Sequence, residues 1–172
     1  MKNNTLKEEV KKTIDFFVNT DKEIYGVVTE DTKETIVMQT KTDLKKFINR
    51  HQLQTLLFYA REGEEKEFFQ LKKKEIEHII TNMPVTYGQD GKGNKAIAYL
   101  HYFRSGLDWW ITEKDCIEEE PQVQAYGFAC LGDPQCAEIG YISIQELIDN
   151  GVELDFYFEP TTIGEIKEKL NA

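Results

Sequence analysis

Apolar residues recur along this chain in two periods, one helical and one alternating, and the changes of period divide it into elements. Leu6, Val10, Ile14 and Phe17 stand at helical spacing behind Thr5, a candidate N-cap, and predict an amphipathic helix over about residues 6–19. Two stretches then match in pattern at an offset of 32 residues, IYGVVTEDTKETIVMQTKTDLKKFI at 24–48 and LLFYAREGEEKEFFQLKKKEIEHII at 56–80. Each reads as an apolar strand, a charged turn, a second short strand and a helix. The apolar helix positions are Leu44, Phe47 and Ile48 in one copy and Ile76, Ile79 and Ile80 in the other. The shared pattern suggests a ββα unit used twice. A single helix through EEKEFFQLKKKEIEHII is the competing local reading, and His51 and His78 read as solvated surface.

Pro84 and the run GQDGKGN at 88–94 punctuate the chain, and the pattern beyond them alternates. KAIAYLHYFR and DWWITEK are two strands joined across Ser105-Gly106, a pair suited to a tight hairpin turn. QVQAYGFACLG at 122–132 reads as a third strand and EIGYI at 138–142 as a fourth. Ser143 with Glu146 opens a short helix that Gly151 closes. VELDFYFE is a fifth strand with Val152, Leu154, Phe156 and Phe158 on one face, and Thr162 with Glu165 opens a terminal helix. The second half thus reads β-β-β-β-α-β-α. The expected fold is α+β, an antiparallel sheet with helices on one side, against which the N-terminal helix and the two ββα-like units pack. Two regions are expected, 1–82 and 83–172.

The segments MPVTYGQDGKG, LHYFRSGLDWWITEKD, QAYGFACLGDPQCAEIGYISIQELI and ELDFYFEPTTIGEI, in that order over roughly residues 80–170, resemble the family catalogued as domain of unknown function 2958. Proteins like these are typical of plasmids, phages and conjugative elements, some as parts of very large polyvalent proteins. The resemblance implies a small cytoplasmic accessory protein of a mobile element. It implies no reaction and no catalytic residue. DCIEEE and the first half fall outside the pattern.

Charge changes the picture at the same boundary. Residues 1–82 carry 15 Lys+Arg and 15 Asp+Glu, whereas residues 83–172 carry 6 and 16, so the second half holds the whole net charge of −10. Phosphates would be repelled, which argues against direct nucleic-acid binding and for a partner with a basic surface. No apolar run approaches the roughly 20 residues of a membrane helix, and a soluble cytoplasmic protein is expected. Cys116, Cys130 and Cys136 contain no CxxC pair, so neither a disulfide framework nor a zinc site is expected, and no cofactor is called for. GQDGKGN lacks the spacing of a phosphate-binding loop and reads as a turn.

If Arg104 and Leu107 flank a two-residue turn, the hairpin register follows. Tyr102 faces Trp109 and Leu100 faces Ile111 on one side, a core. Tyr99, His101, Phe103 and Trp110 form an aromatic strip on the other, to be covered by the first half of the chain, by a helix or by a partner. Glu113 is expected on the Trp109 face, at a water-facing sheet edge. Glu113, Asp115, Glu118, Glu119 and Glu120 crowd eight positions beside the tryptophans, as a solvated loop or as a docking surface for a basic groove. The expected contact set is therefore Trp110, His101, Glu113, Asp115, Glu118, Glu119 and Glu120. The expected function is a non-enzymatic accessory protein that binds a host or element-encoded protein, such as a nuclease or another nucleic-acid-processing enzyme, by occluding its basic site. The rival is a small enzyme acting on nucleotides or thiols, centred on Cys130 and His101.

Overall fold

A computed structural model describes residues 42–117 and 121–171. The helix expected at 6–19 and the strands of the first ββα-like unit lie outside the described residues. Asp43–Ala172 is one compact unit. Leu44, Phe47 and Ile48 are buried as their spacing suggests, but in and just after a single 3-10 turn, Leu44–Lys46.

Asn49 caps the first helix, α1 (Arg50–Arg61), by accepting the Gln52 N–H at 2.9 Å. Leu53, Leu56 and Ala60 form its buried stripe. A turn through Gly63, at φ 112, leads into α2 (Lys66–Asn82), which buries Ile76 and Ile80. The second ββα-like unit is therefore a helical hairpin. The apolar run LLFYA continues the stripe of α1, and the competing reading, a single helix through EEKEFFQLKKKEIEHII, is the arrangement that forms, over Lys66–Asn82. His51 and His78 are exposed on it, as expected.

The remaining chain forms β1 (Ile97–Ala98), β2 (Leu100–Arg104), β3 (Leu107–Glu113), β4 (Ala125–Leu131), β5 (Glu138–Ile142), helix α3 (Ile144–Asp149), β6 (Glu153–Leu154), β7 (Thr161–Thr162) and helix α4 (Ile163–Leu170). The main sheet is antiparallel in the order β5-β4-β3-β2-β6, and β1 pairs with β7 apart from it. The hairpin register is the one expected, with Tyr102 opposite Trp109, His101 opposite Trp110 and Leu100 opposite Ile111. Ser105 and Gly106, at φ 50 and 81, supply the two positive φ angles of the tight turn. Ser143 accepts from Glu146 N–H at the start of α3, and Thr162 with Glu165 makes a reciprocal capping box at α4. Hydrogen bonds from Thr161 and Thr162 pull the Glu165 carboxyl down to about 2.

Both faces of the sheet are covered. On one, Leu100, Tyr102, Ile111 and Leu154 pack against α1, α2 and α3 in the larger core, with Trp109 half-buried against it. Tyr102 is fully buried and donates its hydroxyl to Phe47 O at 2.7 Å. On the other, Trp110, Phe128 and Cys130 pack against Ile163 and Ile166 of α4. Helices on one side only is thus corrected: α4 is amphipathic and closes the second face. The larger core takes residues from both sides of residue 82, so the change of charge there is not a break in packing. Lys114 ties the same two parts together, its Nζ donating to Ile80 O and Thr81 O in the last turn of α2.

Two further expectations change. The fifth strand is cut to Glu153–Leu154, because the chain turns at Asp155, and Phe158 packs on the α4 side while Phe156 stays with the larger core. Tyr99 leaves the aromatic strip for the larger core. The strand is interrupted there, with β1 turning to pair with β7 while Tyr99 N–H donates to Ile111 O at 2.8 Å.

Candidate functional site

The residues singled out in the sequence are brought near one another but are engaged inside the chain. Trp110 is 8% exposed, stacked on His101 at 5.1 Å and on Phe128 at 5.6 Å, beneath Ile163 and Ile166. Among the described residues, the cover over it is a helix, α4. His101 is half-buried, with Nε2 2.8 Å from Asp108 and Nδ1 3.2 Å from Asp155. Both ring nitrogens are occupied, so neither is free to act as a base toward a substrate. Cys130 is buried, and the thiol of exposed Cys136 is raised by the neighbouring Asp133 charge, which makes it a poorer nucleophile.

Glu113 and Asp115 are each 3% exposed and brace loops. A bulge between Ile111 and Glu113 shifts the register by one, so Glu113 sits opposite Tyr126 and leaves the Trp109 face for the Trp110 face. There it accepts Tyr87 N–H at 2.9 Å and Gln89 N–H. Asp115 accepts from Ile117 N–H at 3.1 Å and Gln124 N–H at 2.9 Å, pinning the two ends of the acidic segment. Neither carboxylate is a solvated contact group; burial is stable because each oxygen meets a backbone donor. Glu118, Glu119 and Glu120 lie outside the described residues.

What the bulge and the GQDGKGN turn build together is a cleft of about 530 Å³. Glu113 and Thr112 of β3 line it with Tyr126 of β4, Tyr141 of β5, Asp90 of the turn and Tyr87 just before it. Gln89 anchors the turn from within, its amide donating to Ile97 O at 2.8 Å and Thr112 O at 2.9 Å. Tyr87 is held at φ 74, in the left-handed region that a bulky residue rarely adopts. Its N–H is fixed by Glu113 and its hydroxyl meets Tyr141 Oη at 2.9 Å across the mouth. That hydrogen bond raises the Tyr141 phenol above its ordinary value. The Tyr126 and Tyr141 rings stand edge to face at 5.4 Å. Tyr87 and Tyr141 remain 75% and 58% exposed.

Strain is kept here for a side chain that is mostly in water, and backbone strain of this kind clusters at binding sites. Among the described residues, the cleft lining combines three aromatic rings with the Asp90 carboxylate and the buried Glu113, and includes no Lys, Arg or His. Ring faces and carboxylates both attract cations, so the lining suits an ammonium or guanidinium group and disfavours a phosphate. Sequence reasoning passed over Tyr87, Tyr126 and Tyr141. The one available signal was alternation: once EIGYI pairs with the third strand, Tyr126 and Tyr141 fall opposite one another on the Trp110 face. Nothing in the local sequence marks Tyr87.

The chain matches no family model, no curated protein and no solved structure.

Proposed function

We propose that this protein is a non-enzymatic accessory protein of a mobile element. It binds a basic host or element-encoded protein, a nuclease or another nucleic-acid-processing enzyme, and occludes the partner's basic site. The mobile-element origin rests on the sequence resemblance alone. The observation that carries the binding reading is the cleft, where Tyr87, Tyr126 and Tyr141 stand beside Asp90 and the buried Glu113, with no cationic side chain among the described residues of the lining. The acidic second half supplies the long-range attraction and the tyrosines the short-range contact. Contact is thus assigned to the tyrosine mouth, with Glu118, Glu119 and Glu120 adding charge, and Trp110, His101, Glu113 and Asp115 hold the scaffold beneath it.

An enzyme centred on Cys130 and His101 has less support, since the thiol is buried and both imidazole nitrogens face carboxylates. An arginine-rich peptide should bind the protein and lose affinity steeply as salt rises. Replacing Tyr87 and Tyr141 together by Ala should weaken it by about tenfold, two exposed cation–π contacts being worth about 0.5–1 kcal/mol each. Fluorescence anisotropy at two salt concentrations measures both effects, and an unchanged affinity in the double variant would remove the mouth from the interface.

A further inference from the structure

The two edges of the main sheet are finished differently. β6 is two residues long, and its outer edge is already occupied by side chains. Gln52 accepts Leu154 N–H at 3.0 Å and donates to Leu154 O at 2.6 Å, imitating a neighbouring strand, and Asn49 donates to Val152 O at 2.9 Å. β5 is five residues long and pairs with β4 in continuous register without a bulge. Among the described residues no backbone or side-chain hydrogen bond reaches its outer edge. It contains no proline and no lysine, the usual devices that keep an edge from pairing, and Glu138 is its only charge. Ile139 and Tyr141, 40% and 58% exposed, point from this edge to the face that carries the cleft and line it.

We propose that β5 accepts an extended basic segment of the partner protein as a sixth strand of the sheet. Alternate side chains of that segment lie beside Ile139 and Tyr141, and a lysine or arginine among them enters the tyrosine-lined cleft. This rests on the reading of the protein as a binder of basic partners and adds the mode of recognition. Main-chain hydrogen bonds along an open edge supply affinity and the cleft supplies side-chain selection. Charge selects the occupant: a second copy would bring another chain of net charge −10 to the same edge, whereas a basic segment is attracted to it.

The test uses the full chain and an eight-residue peptide of alternating Arg and Val. Two N-methylated versions of that peptide remove alternate backbone donors, one in each phase. The parent peptide is expected to bind and to slow amide exchange at alternate residues of β5. One N-methylated phase should lose at least about tenfold in affinity, since it forfeits the main-chain hydrogen bonds to the edge, while the other phase binds as the parent does. Equal binding by all three peptides, with the Tyr87→Ala/Tyr141→Ala variant still weakened, would overturn strand addition and leave the basic-partner reading standing. Failure of both this peptide and the arginine-rich peptide to bind would overturn both. Self-association in sedimentation that the Arg-Val peptide displaces would give the edge to a second copy and overturn the proposal.

Discussion

Trp110→Ala is expected to lower the stability of the fold by about 3–5 kcal/mol, the range for removing a large buried aromatic. The indole is 8% exposed and stacks between His101 and Phe128, with Ile163 and Ile166 of α4 packed on the same cluster. Removing it leaves α4 without the centre of its packing surface. Against a typical total of about 5–15 kcal/mol this is a large fraction, so the urea midpoint should fall sharply. A contact residue behaves otherwise: truncation costs affinity and little stability. Tyr141→Ala, at a 58% exposed position, should show that opposite pattern. The pair of variants separates the scaffold beneath the mouth from the mouth itself.

Gly127→Ala is the second large effect. A Cβ at Gly127 would lie 2.2 Å from Trp110 O and 3.0 Å from Ile111 Cα, both backbone atoms of the neighbouring strand. Neither can swing aside as a flexible side chain would. The strand must shift where the bulge turns Glu113 toward the cleft. We expect a loss at the upper end of the roughly 1–3 kcal/mol typical of overpacking. The cleft should be disturbed with it, because Glu113 holds the Tyr87 and Gln89 amides. Gly140→Ala is the internal control. Its Cβ meets nothing within 4 Å, and the change should be neutral or slightly stabilising in the same denaturation assay.

The hairpin around Ser105-Gly106 was readable down to register, because a two-residue turn leaves one pairing and period-two alternation assigns each side chain to a face. The caps at Ser143 and Thr162 were readable because they depend on residues three apart. LLFYA was misread as a strand because a short apolar run has no period of its own. Only with Leu53 behind it, and Asn49 as cap, does it resolve into the stripe of α1.

The site was less legible for a physical reason. Trp110 and His101 looked like a contact strip because their cover, α4, is some fifty residues away in the chain and its apolar stripe names no target. Glu113 looked solvated because parity counting assumes an unbroken strand, and a one-residue bulge reverses every assignment beyond it. The cleft itself is assembled from the 84–96 turn and three strands, and Tyr87 reaches Tyr141 across 54 positions. No local pattern encodes such a meeting. The acidic charge of residues 83–172 was the part of the binding reading that composition alone could supply.

The central claim, that a basic partner is held at the tyrosine-lined cleft, is tested most directly by a two-dimensional amide NMR titration of the full chain with the arginine-rich peptide. The account predicts shifts concentrated at Tyr87, Gln89, Asp90, Tyr126 and Ile139–Tyr141, fading as salt is raised. Shifts confined to other surfaces, such as the exposed Phe58 and Leu71 of the helical hairpin, or no shifts at all, would contradict it.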